Sequence, residues 1–199
     1  MKTQTIDQEP KLAAPGAGIP TVERWVAGVM LRLGDRWSTP TAVADRFLRA
    51  RQEVLVRVDR CGAGVAATRV LIPRLQGLED SSRYWSVFMT VHHLAIVNRA
   101  VAGIVDSLRA DQIPPRQANT ADVKPDPAAG PGVVEEFDES CRDVQRAASG
   151  SAEALRTRLR FAHPWFGPLD ASQWHYLAAF HMNLHLRQID RILEFAARA

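Results

Sequence analysis

The sequence predicts an all-α protein, a bundle of long helices with one additional short helix at the N-terminal end. Three observations carry that expectation. Apolar residues recur at three- and four-residue steps in several long windows. Helix start signals stand ahead of these windows, among them Thr39-Pro40, a serine before the longest one, and Asp170 with Gln173. No stretch shows the period-two alternation of a half-buried strand. With 199 residues and 46% hydrophobic content, the chain has the length of one domain and can bury a core.

Residues 1–20 are rich in Pro, Gly, Ala and polar side chains and read as a flexible tail ahead of a single helical domain over 21–199. Thr21 to about Leu33 has helical spacing at Val22, Trp25, Val26, Val29 and Leu33, with Gly34 as the expected stop. The next helix starts at Pro40, behind Thr39 as cap, and runs through Val43, Phe47, Leu48, Leu55 and Val58 to about Arg60. Gly62, Gly64, Pro73 and Gly77 then break the chain, leaving room for one short helical or extended piece around Val70. The longest helix is expected at 83–110, where no proline interrupts the pattern. Residues 111–132 hold five prolines and few apolar side chains, so they are expected to be a mobile connection. A helix restarts at Val133, with Val134, Phe137, Cys141 and Val144 on one side. A short piece and the loop FAHPWFGPL lead into the last helix, from Asp170 to the C-terminal end.

Composition excludes several classes. The net charge of +3 comes from scattered arginines, without the clustered basic and aromatic residues that nucleic-acid binding needs. The N-terminal residues contain no apolar signal core, and WVAGVMLRLG is too short and too charged at Arg32 to span a bilayer. Two cysteines, Cys61 and Cys141, without CxxC spacing, fit free thiols in a reducing compartment. A cytoplasmic protein without membrane or nucleic-acid partners is expected.

The histidines are the chemically informative residues. His181 and His185 stand four apart in the last helix, so they share a face and can reach one object. They interrupt a stripe that runs from Trp174 and Leu177 through Leu184 and Gln188 to Ile192 and Phe195, apolar at both ends and polar in the middle. A third ligand has to come from another helix, and His92 and His93 are adjacent candidates. From His93 the helical steps lead to Val97, Ala100, Val101, Ile104 and Leu108, whereas from His92 they lead to Ile96 and the hydrophilic Arg99. His93 is therefore the expected inward residue and His92 the alternative first ligand. A core histidine can equally be a structural residue held by hydrogen bonds. Two interrupted stripes together favour a shared site. His175, about 240° around the helix from His181, is expected to face solvent. His163, which precedes a proline, is expected to anchor its loop. Gln188 is a candidate for a second layer or the pocket, and Asn98 a weaker one.

Those motifs resemble the DinB-like superfamily of four-helix-bundle, metal-binding proteins. WSVFMTVHHL resembles its Trp-Ser-Val element followed by a histidine and a leucine, HMNLHLRQI its last-helix HxxxH with a glutamine three residues on, and HPWFGPLDASQW the loop of one subgroup. The resemblance covers about residues 40–197. It implies a single divalent ion, zinc or nickel, on His93, His181 and His185 with open coordination positions, and often a homodimer. It further implies a thiol-dependent S-transferase or isomerase that takes a low-molecular-weight thiol as cosubstrate and a small-molecule electrophile as substrate. The alternatives are a hydrolase using metal-bound water, or a non-catalytic binding or interaction bundle. The chain offers no GxSxG, no P-loop and no core-facing carboxylate pair that would supply another catalytic set.

Overall fold

A computed structural model describes residues 9–198 and consists of helices with two small hairpins. In order these are α1 (Thr21–Trp37), α2 (Pro40–Ala67), β1 (Val70–Leu71), a 3-10 turn (Asp80–Ser82), β2 (Tyr84–Trp85) and α3 (Val87–Arg109). There follow a second 3-10 turn (Thr120–Val123), α4 (Val133–Ala147), α5 (Ala152–Leu155), β3 (Phe161–His163), β4 (Gly167–Leu169) and α6 (Ala171–Ala196). The bundle is made by α2, α3, α4 and α6: α4 lies along α3, α6 packs against both α2 and α3, and α1 leans on α6. The core runs along these contacts through Phe47, Leu94, Leu108, Phe137, Met182, Ile189 and Ile192. The architecture is all-α.

The expected caps set the helix starts. Thr39 accepts the Ala42 amide with Pro40 in the first turn, and Ser86 accepts the Met89 amide at 3.1 Å. Asp170 and Gln173 exchange bonds as a full capping box, at 2.9 and 3.1 Å. Each cap satisfies amides that no helical carbonyl can reach.

Element ends differ from expectation for local reasons. Helix α1 continues through Gly34 to Trp37, because Gly34 is used for close approach rather than for termination: a side-chain carbon there would overlap the Tyr176 hydroxyl of α6. Helix α2 passes Arg60 and reaches Ala67, bending at Gly62, whose φ of 72° suits glycine alone. Helix α3 begins at Val87 instead of 83, since Ser82 to Trp85 are taken up by the 3-10 turn and β2. The hairpins pair Val70 with Trp85, and Phe161 with Leu169. Strands of two or three residues are too short to show alternation in sequence, although the extended piece around Val70 is β1.

Helix α3 is long and apolar enough to cross a membrane by composition, but 67% of its most apolar window is buried inside the bundle, as in a core helix. Helix α1 turns its sequence stripe outward: Gly28, Leu31 and Asp35 face α6, while Val22, Trp25 and Trp37 face solvent. Of the expected tail, residues 1–8 lie outside the described residues. Residues 9–20 lie against the bundle, where the Ala13 amide donates to Asp80 at 2.8 Å, the Gly18 amide to Glu79 at 3.0 Å, and Arg69 pairs with Glu9. The proline-rich connection is likewise fastened at its second half. Lys124 Nζ sits 2.6 Å from the buried Glu79 carboxylate and 2.8 Å from Ser81 Oγ. This half is tied to the bundle by that ion pair and by backbone contacts.

Candidate metal centre

Helix α3 contributes His93, and α6 contributes His181 and His185 one turn apart; the three ring nitrogens available as ligands lie within 4.8 Å of one another. His181 Nε2 stands 3.2 Å from His93 Nε2 and 3.0 Å from His185 Nε2. Trp85, delivered by β2, backs the cluster, its ring stacked parallel to His185 at 6.2 Å and tilted against His93 at 5.1 Å.

The hydrogen bonds around the rings decide where their protons are. His93 Nδ1 is 2.6 Å from the Val123 carbonyl, which can only accept, so Nδ1 carries the proton and Nε2 the lone pair. Gln188 Nε2 donates to the Ser82 carbonyl at 2.7 Å, turning Oε1 toward His185 Nδ1 at 2.6 Å. His185 therefore also carries its proton on Nδ1 and presents an Nε2 lone pair to the cluster. Burial pushes the pKa of His93 down to about 4, against the opposing pull of the Val123 carbonyl. Burial, then the neighbouring histidines, push His181 and His185 well below the ordinary value. All three are neutral at physiological pH.

This arrangement suits a cation. His181 Nε2 can hold at most one proton and so can satisfy only one of its two short contacts; the other sets two lone pairs face to face. His181 Nδ1 is buried and has no hydrogen-bond partner among the described residues, so none of them orients that ring from outside. Imidazoles on an ion at about 2.0–2.1 Å place neighbouring nitrogens about 2.9 Å apart in octahedral and about 3.3 Å apart in tetrahedral coordination. The observed 3.0 and 3.2 Å fall between these values. The donor set fits one divalent ion with positions left open, and the Nδ1 partners match the outer layer that metal-ligating histidines use.

The three histidines line a cavity of about 410 Å³ between α3, α6 and the proline-rich connection. Its walls are mostly apolar, formed by Ile96, Val97, Ile104, Phe161, Trp174 and Leu177, with His163 and Trp165 from the β3–β4 hairpin and Arg116 and Lys124 from the connection.

The remaining candidates separate clearly. His92 points away and accepts the Asp126 amide at 3.1 Å, outside the cluster. His163 holds its own loop, accepting the Trp165 amide at 3.0 Å and stacking on Phe166, and its ring also borders the cavity. His175 is buried, not solvent-exposed, because residues 171–179 of α6 are covered on every side. Asn98 donates to Ser140 at 3.3 Å and also contacts Cys141 and Met182, with no bond to the histidines. Sequence reasoning missed Val123 and Ser82, which act through backbone carbonyls, and the Glu79–Lys124 pair that fixes the connection. No side-chain pattern could have marked those carbonyls.

A family model described as the DinB superfamily matches residues 46–189, well over half of the chain. The chain belongs to the DinB superfamily. No curated protein and no solved structure shows a detectable match. The matched span of this DinB-superfamily chain contains His93, His181, His185 and Gln188, and leaves α1 outside it. Family and geometry agree on a helical bundle whose three-histidine cluster could hold a metal ion.

Proposed function

We propose that this DinB-superfamily chain is a metal-dependent enzyme that joins a low-molecular-weight thiol to a small electrophile, as an S-transferase or isomerase. The observation that carries the reading is a cluster of three neutral imidazoles, two of them fixed with Nε2 toward it, lining a largely apolar cavity. A divalent ion on these three nitrogens, zinc or nickel by donor type, retains its full charge and lowers the pKa of a thiol or water at an open position.

The chain's own residues do the rest. Val123 and Gln188 keep two rings in the ligating tautomer, and the apolar walls exclude water from the reacting groups while leaving room for a small electrophile. Neither cysteine competes as nucleophile: burial pushes the Cys141 thiol up to about 12 and raises that of Cys61 as well. The sulfur therefore comes from a cosubstrate. A free thiol, with a pKa of about 8.5, is mostly protonated at neutral pH and gains most from a nearby cation. The thiolate sulfur bonds to the electrophilic carbon while that carbon's π bond or its bond to a leaving group breaks, and the displaced electron pair takes up the proton that the thiol gave up. In an isomerisation the carbon–sulfur bond then breaks again and releases the thiol.

Calorimetric titration of the metal-loaded and the stripped protein with glutathione, mycothiol and bacillithiol tests this. One thiol is expected to bind only to the loaded form. Failure of all three with the ion in place overturns the thiol reading and favours hydrolysis by bound water or a non-catalytic role.

A further inference from the structure

Helix α1 is built inside out. Its packed side offers Gly28, Leu31 and Asp35, of which Asp35 pairs with Arg156 and accepts Ser172 Oγ at 2.6 Å. Its solvent side is the apolar one. Trp25 is 70% exposed, Trp37 77%, Val22 73% and Met30 56%, with Val26, Val29 and Leu33 between them. At about 100° per residue these seven positions form a stripe about 140° wide and about 22 Å long. With ordinary residue areas of roughly 150 Å² for valine and 250 Å² for tryptophan, the stripe exposes about 750 Å². Isolated monomers rarely leave so large an apolar patch in water, and each side of a stable protein interface contributes about 800 Å².

The order of the residues indicates what covers it. Reversed about the midpoint between Val29 and Met30, Val22 falls level with Trp37, Val26 with Leu33 and Val29 with Met30. The same reversal sets Trp25 level with Gly34. A lipid surface or an unrelated protein requires no such symmetry, whereas a twofold contact between identical helices does. Helix α1 also lies outside the family-matched span, so its apolar face belongs to this chain's own addition to the bundle.

We propose that two copies of the chain pair through α1, antiparallel, about a twofold axis beside Val29 and Met30. The interface stands directly behind the cavity wall: Arg32 Nη2 donates to the Phe166 carbonyl at 2.6 Å, and the Phe166 ring stacks on His163.

Light scattering after size-exclusion of the full-length, metal-loaded chain at micromolar concentration is expected to give twice the 22.1 kDa of one chain. Met30→Glu and Met30→Lys each set like charges beside the axis and give the mass of a single chain, with helical circular dichroism and metal content unchanged. Mixing the two variants restores the doubled mass, because only self-pairing brings the opposite charges together. A wild-type chain that runs as a monomer, a Met30→Glu variant that keeps the doubled mass, or a mixture that stays monomeric overturns the proposal. Wild-type monomer that instead sediments with phosphatidylglycerol vesicles assigns the stripe to a lipid surface.

Discussion

Replacing Gln188 with methionine removes the link between His185 and the Ser82 carbonyl while keeping an unbranched side chain of similar size. Gln188 is completely buried, and its two bonds, 2.6 Å to His185 Nδ1 and 2.7 Å to Ser82 O, leave no water to substitute for it. The variant strands one donor and one acceptor. At about 1–3 kcal/mol per buried unsatisfied group, Gln188→Met should lower unfolding free energy by about 2–6 kcal/mol. It also frees His185 to move its proton to Nε2, the atom that faces the cluster. Loss of such an outer partner costs about 10- to 100-fold in metal affinity. Gln188→Glu separates the two effects. Its carboxylate still accepts from His185 Nδ1 but is set against the Ser82 carbonyl, so stability falls while metal affinity is kept. Urea unfolding of the metal-free proteins and competition with a chelating dye measure both quantities. If Gln188→Met binds metal within twofold of wild type, the tautomer lock is refuted, and Gln188 is only a structural group.

Two further outcomes follow from the same geometry. His92→Ala should leave metal affinity nearly unchanged, because His92 holds only the Asp126 amide, whereas His93→Ala should abolish tight binding; metal competition on the two variants checks this, and the reverse result would mean that α3 is rotated. His175 gives a pH dependence: burial lowers its pKa to about 4 from an ordinary 6.5. Between these values the unfolded chain binds the proton and the folded chain does not, so stability rises with pH across that window and is lost as pH falls through it. A shift of this size is worth at most about 3.4 kcal/mol. Urea midpoints of wild type and His175→Gln at pH 4.5 and 7 should therefore differ in slope, with the variant the less acid-sensitive.

The bundle was legible because its long helices carry their own signals. Thr39-Pro40, Ser86 and the Asp170–Gln173 pair announce themselves as caps, and the apolar steps from His93 distinguish it from His92. Two misreadings have physical causes. Stripe reasoning assumes that a helix has one wet face, and α6 has none over residues 171–179, so His175 was assigned to solvent. In α1 the apolar spacing alone does not say which way the stripe points, and the structure packs the helix through Gly28, Leu31 and Asp35 with the stripe outward. Gly34 looked like a stop because glycine favours helix ends, yet here it admits the Tyr176 ring. What positions the cluster was least visible of all. Val123 and Ser82 contribute carbonyl oxygens, which every residue possesses, and only the folded path of the proline-rich connection and the first hairpin brings those two to the histidines.

The central claim is that His93, His181 and His185 share one divalent ion. Elemental analysis of the purified protein, beside His181→Ala and His185→Ala checked for native helical content, tests it most directly. About one equivalent of zinc or nickel per chain is predicted for wild type, and little or none for either variant. Full metal content in both variants, or a wild-type chain that takes up no divalent ion when loaded and dialysed, would contradict it.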